Sequence, residues 1–159
     1  MTLPDTLSNT TRLWVYQANK PFPADAVPEI RSNLQAFARQ WVSHNRQLKA
    51  DADVLHDRFV ILMVDESQAD ASGCSIDSSV HFLKKLQAEY GVDLFDRMYF
   101  SYQDGDAVHT VSREEFARRY AEGQINDHTL VFDTLVESKA AFDAGWLKPL
   151  SESWHARLV

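Results

Sequence analysis

The chain has 159 residues and a single cysteine, Cys74, so no disulfide can form within it, and a reducing compartment is expected. Glycine is scarce too. The five glycines all stand apart, which excludes the G-x-x-x-x-G-K-[ST] and G-x-G-x-x-G phosphate cradles, since both need clustered glycines to bring backbone N–H groups against phosphate. Lys and Arg number 16 against 23 Asp and Glu, and the net charge of −7 argues against a nucleic-acid partner, which requires clustered cations. No run approaches the ~18 apolar residues of a membrane span. The polar start, Met1 to Thr11, lacks the basic-then-apolar pattern of a secretory signal. A cytoplasmic protein without membrane association is expected. The six histidines show no HExxH or paired-ligand spacing, so neither a metal site nor a cofactor is expected.

What is present is enough for a core: 45% of the residues are hydrophobic and 11% aromatic. Residues 1–11 carry Thr, Ser, Asn and Pro without periodicity and read as a flexible tail. Arg12 to Ala18 alternates as a first strand, and Asp25 precedes a helix whose apolar stripe is Val27, Ile30, Leu34, Phe37, Ala38 and Trp41. Leu48 to Leu55 alternates as a half-exposed strand. Phe59 to Val64 (FVILMV) is apolar throughout, as a strand covered on both faces would be. A second helix carries Ile76, Val80, Leu83, Leu86 and Tyr90 inward and stops at Gly91, and Arg97 to Gln103 is the next strand.

This β-α-β-β-α-β order over residues 12–103 predicts an α+β protein with a ferredoxin-like sheet, its first and third strands central and parallel. The doubly apolar FVILMV strand requires a cover on the second face, from the rest of the chain or from another subunit. Residues 104–159 form a C-terminal β-α-β segment expected to pack there. Asp104-Gly105 marks a hairpin, Ser112 to Glu115 a capping box, Thr129 to Val136 a strand and Ser138 to Ala144 a short helix.

The candidate site is Gly73-Cys74-Ser75-Ile76-Asp77-Ser78-Ser79, where strand gives way to helix. A helix start offers free N–H groups and partial positive charge, which favour anions and thiolates. In a ferredoxin-like sheet the loops after the first and third strands are neighbours, which would bring Lys20 to this string. Lys20, Ser75, Ser78 and Ser79 would then bind an anionic ligand. Alternatively Cys74 is a nucleophile, supported by Asp77 or by His155 if the C-terminal residues fold back. The plainer reading has Ser75 capping the helix, Asp77 complementing its dipole and Cys74 as a small buried filler. Asp65 and Glu66 at a strand end have the chemistry of a hard-cation site, and equally that of a solvated loop.

Arg12-Leu-Trp-Val-Tyr-Gln-Ala-Asn-Lys-Pro-Phe22, Val64-Asp-Glu-Ser-Gln68, Gly73 to Val80, Tyr90-Gly-Val-Asp-Leu-Phe-Asp-Arg97 and Glu152-Ser-Trp-His155 together resemble a family of small uncharacterised bacterial proteins often labelled "ABC transporter ATPase". The residues do not support that label. A strand ending in Asp65-Glu66 without a phosphate loop cannot hold ATP as such an ATPase does. Met98-Tyr-Phe-Ser-Tyr-Gln-Asp-Gly105, Val111 to Phe116, Glu122 to Ile125, Thr129 to Phe132 and Gly145-Trp-Leu-Lys-Pro-Leu150 resemble a bacterial GYF-type module, with Thr110-Val111 where such modules carry Gly-Pro. This second resemblance implies protein binding through an aromatic surface of Tyr99, Tyr102 and Trp146.

The expected function is therefore non-enzymatic binding of another protein or a small anionic ligand, with homo-oligomerisation open. The alternative is a thiol-dependent enzyme using Cys74, and a plain structural role is compatible with the same residues.

Overall fold

The structure is a computed structural model that describes residues 3–4, 7–67 and 69–159. The chain is α+β, with four helices and three antiparallel sheets among the described residues. Strand β1 (Arg12–Gln17) leads through a 3-10 turn (Ala24–Ala26) into α1 (Val27–Gln40). A short hairpin, β2 (Val42–Ser43) and β3 (Arg46–Gln47), precedes β4 (Lys49–Leu55) and β5 (Phe59–Asp65). Helix α2 (Gly73–Tyr90) ends at Gly91, whose φ of 63° is the left-handed conformation that a residue without Cβ adopts freely. Then come β6 (Tyr99–Asp104), β7 (Ala107–Ser112), α3 (Arg113–Ala121), β8 (Leu130–Phe132), α4 (Lys139–Gly145) and β9 (Leu147–Pro149), with two 3-10 turns last. No helix among the described residues is long and apolar enough to cross a membrane.

Strand β5 is the centre of the first sheet, ordered β1-β5-β4, and both of its pairings are antiparallel. Here the ferredoxin-like expectation is corrected: β1 does not run parallel to β5, and β6 lies in a second sheet ordered β7-β6-β8-β9. The boundary drawn at residue 103 therefore falls inside the β6–β7 hairpin. Element order alone does not choose between a parallel and an antiparallel neighbour for a strand reached through a helix and a further strand.

All seven residues of β5 are buried, because each face meets a different cluster. Val60, Leu62 and Val64 pack with Ile30, Leu34, Ala38 and Leu83 of α1 and α2. Phe59, Ile61 and Met63 face Phe132, Phe142 and Trp146. The cover expected over FVILMV thus comes from the same chain. Burying each of these side chains is worth roughly 1.5–3 kcal/mol. Leu3 and Leu7 join the second cluster and Thr11 is fully buried, so the expected tail is anchored at these three residues while Ser8 to Thr10 are exposed; Met1, Thr2, Asp5 and Thr6 lie outside the described residues. A third cluster joins Phe100, Tyr102 and Phe116 to Ile125, Val131 and Leu150.

Candidate functional site

Antiparallel pairing decides what happens at the Cys74 helix start. Gln17 sits opposite Phe59 and Arg12 opposite Val64. The loop leaving β1 is therefore at one end of the sheet and the loop leaving β5 at the other, roughly 17–20 Å away at a strand rise of about 3.4 Å per residue. Lys20 belongs to the first loop, which is tied by Asn19 N–H to the Asp93 carbonyl and by Asp93 N–H to Asn19 Oδ1. The structure does not bring Lys20 to Cys74.

The serines around Cys74 are used by their own helix. Ser72, not Ser75, is the N-cap: its Oγ accepts from Ser75 N–H, and Ser75 Oγ accepts from Ser72 N–H in return, closing a capping box. Ser78 and Ser79 donate their hydroxyls to the carbonyls of Ser75 and Ile76. Trp41 Nε1–H donates to the Ser75 carbonyl at 2.8 Å, pinning the end of α1 to the start of α2. Cys74 and Asp77 are both exposed, so the thiol is not a buried filler.

His155 is elsewhere. It is buried in the third cluster, stacked on Trp154 at 3.8 Å and against Phe100 and Phe116, with Nδ1 2.6 Å from Ser153 Oγ. Burial pushes its pKa down to about 4, against the opposing pull of Asp133. It is a packing residue, and the structure shows no contact between it and Cys74.

Asp65 accepts from Ser8 N–H and Ser67 N–H and faces Lys49 at 3.5 Å; the Ser67 bonds chiefly hold its carboxyl below the usual range. Glu66 accepts from Ala71 N–H. These carboxylates brace the loop, and no group of three or more His, Cys, Asp or Glu suited to a metal occurs among the described residues. Of the aromatic surface, Tyr102 and Trp146 are buried: Trp146 stacks on Phe142 at 4.5 Å, and Tyr102 lies against His109 and Phe116. Tyr99 alone of the three is half-exposed.

Tyr99 opens onto a feature that no local pattern announced. A cleft of about 470 Å³ runs between β1 and the start of β6, walled by residues 94–100, Arg113, the 134–137 turn and Trp154. It is closed at one end where Leu13 N–H donates to the Glu137 carbonyl, and at the other where Gln17 Nε2 donates to the Tyr99 carbonyl at 2.9 Å and Ser101 Oγ donates to Gln17 Oε1 at 2.6 Å. Five consecutive β1 residues, Leu13 to Gln17, line it. Because neighbouring side chains point to opposite faces, such a run means that the strand presents its edge.

Met98 and Leu135, the two most exposed large hydrophobic residues described, at 46% and 55%, line the same cleft. So do Arg97 and Arg113, which have no ion pair among the described residues. Burial raises the Tyr16 hydroxyl above its ordinary pKa, and the nearby Arg97 charge opposes the rise. Asp96, also in the wall, is tied down by accepting from Met98 N–H. The signal available in the sequence was slight: Met98 lies beside Arg97 just before β6, but its partners come from four other segments.

Comparison with known protein families, with curated proteins and with solved structures finds no match for this chain.

Proposed function

We propose that this chain is a non-enzymatic binding protein, cytoplasmic and of bacterial type, and that its site is the cleft between β1 and β6. One observation carries the reading. The most exposed apolar side chains, Met98 and Leu135, and two guanidinium groups without ion pairs, Arg97 and Arg113, converge on one concave surface. Apolar walls with a few fixed polar groups are what a ligand site needs, and exposed apolar area is otherwise avoided. The ligand that fits is amphipathic, with an apolar body and an anionic group. The resemblance of residues 98–150 to a GYF-type module supports a binding role as well, transferred from the aromatic hairpin surface to the cleft that Tyr99 borders.

The thiol-dependent alternative has one observation in its favour, the exposure of Cys74, while His155, one of the two groups expected to support it, is buried and bonded to Ser153.

Fluorescence titration with 8-anilinonaphthalene-1-sulfonate, an apolar body bearing a sulfonate, tests the proposal. Saturable binding is expected, weakened about tenfold in an Arg97→Ala, Arg113→Ala double variant, since charge-assisted hydrogen bonds are worth about 1.5–3 kcal/mol. Absence of binding, or binding indifferent to both arginines, would overturn it.

A further inference from the structure

Resting on the binding reading above, we infer that the natural occupant of the cleft is an extended peptide segment of another protein, added as a strand to the outer edge of β1. The hydrogen bonds of β1 state the requirement. Ala18 N–H donates to the Arg58 carbonyl across to β5 while Leu13 N–H donates away from it to Glu137. The ladder alternates, so the even-numbered residues of β1 pair with β5 and the odd-numbered ones point their N–H and C=O outward. Of these outward groups, only Leu13 N–H has a partner. The N–H and C=O of Val15 and Gln17 have none among the described residues, and Val15 and Gln17 line the cleft.

Backbone groups in a partly apolar recess call for donors and acceptors in strand spacing, and an extended main chain supplies them. The opposite edge of the same sheet shows that the bare edge is no general habit of this fold. On β4, Ala52 N–H and Val54 N–H are taken by the carboxylates of Asp51 and Asp53, while their carbonyls accept from Gln35 and Arg31. The β4 edge is capped at Ala52 and Val54, and the β1 edge is left open at Val15 and Gln17, where the cleft lies.

Charge selects the segment and its placing. Glu137 stands at the Leu13 end, while Arg97 and Arg113 flank Met98, whose carbonyl accepts from Arg113 N–H, at the Gln17 end. The segment therefore carries an acidic residue or a terminal carboxylate toward Gln17, a basic or amino group toward Glu137, and alternate apolar side chains between them. Leu13 to Gln17 spans roughly 13 Å at the strand rise, room for about five residues.

Selection from a random seven-residue peptide library displayed on phage, followed by calorimetry on synthetic copies, tests the inference. Enriched sequences are expected to alternate apolar residues and to end in an acid. N-methylation of successive peptide amides is expected to weaken binding about tenfold at every second position, as losing one strand hydrogen bond predicts. Val15→Pro removes one outward N–H without touching the β5 ladder and is expected to weaken binding by a similar factor.

No enrichment, or peptides indifferent to both N-methylation and Val15→Pro, would overturn the inference. So would concentration-dependent dimerisation of the free chain that Val15→Pro abolishes, because the occupant would then be a second copy. Should Val15→Pro not fold, the N-methyl scan still decides, since it leaves the protein unchanged. Retained binding of 8-anilinonaphthalene-1-sulfonate with no enriched peptide would sink the peptide inference and spare the cleft. Loss of both would sink both.

Discussion

The two edges of the first sheet are built from similar material and finished differently. Strand β4 places an acidic residue before two of its outward-pointing residues, so Asp51 and Asp53 turn back onto the N–H groups of Ala52 and Val54, and α1 lends Arg31 and Gln35 to the carbonyls. Strand β1 carries Trp14 and Tyr16 in the corresponding inward-pairing places, side chains with no acceptor to turn back. An open edge is a template for pairing with another chain, and proteins that do not use one blunt it. The lesson is that the β4 edge is protected by its own sequence, whereas the β1 edge is shielded only by a cleft and remains available.

The largest test of this comparison removes the joint on which the cleft wall depends. Phe59 is fully buried, 4.9 Å from Phe132 and 5.1 Å from Trp146, so it ties β5 to the chain that covers its second face. Phe59→Ala is expected to cost about 3–5 kcal/mol in urea unfolding. A cost below about 1 kcal/mol would mean that the second face is not core and that β1 and β6 are not held at a set distance.

Acid provides the next test, directed at the β6 side. His155 packs on Trp154, whose side of the molecule lines the cleft, and on Phe100 of β6. Its pKa is lowered from the ordinary 6.5 to about 4 in the folded chain. Between those values the unfolded chain binds the proton and the folded chain does not, so stability falls as pH drops from 6.5 toward 4 and levels off below. The integrated loss is about 3 kcal/mol. Asp133 and Lys148 also face this histidine, the first raising and the second lowering its pKa. Their opposed signs leave the direction set by burial. His155→Phe is expected to flatten stability across that window. An unchanged slope would assign the acid sensitivity to other groups.

The smallest effect concerns the capped edge itself. Arg31 is bonded to Asp53 at 2.7 Å and to the Val54 carbonyl at 2.9 Å, but is partly exposed. Arg31→Ala is expected to cost about 1 kcal/mol, the worth of a carbonyl hydrogen bond and a solvent-screened ion pair. Amide exchange sharpens the contrast: Val54 and Ala52 N–H are expected to exchange more slowly than Val15 and Gln17 N–H, although all four lie on sheet edges. Equal rates at the two edges would remove the comparison.

Much of this fold was legible locally. Periodicity located α1, α2, β4 and β5, Gly91 marked a helix end, and Asp104-Gly105 marked a hairpin, each because a few adjacent residues settle it. The demand for cover on both faces of FVILMV was legible for the same reason. The cap of α2 was displaced by one turn, from Ser75 to Ser72, because two serines three residues apart satisfy the same pattern and only the structure chooses between them. The aromatic surface was misjudged at Tyr102 and Trp146, since a ring's type does not reveal which side of a strand or helix meets the core.

By itself, then, the sequence determined the longer helices and strands and which strand needed burial on both faces, because those follow from side-chain pattern along the chain. The short β2, β3 and β9 were not legible, and the strand read over Thr129 to Val136 shrank to Leu130–Phe132. Only the tertiary structure decided the direction of β1 against β5. That one choice sent Lys20 away from Cys74, left Val15 and Gln17 on the outer edge of β1 unpaired and set them against Arg97, Met98 and Arg113. The reason is physical: hydrogen-bond partners along a strand edge are chosen by segments far away in sequence, and no local pattern records that choice.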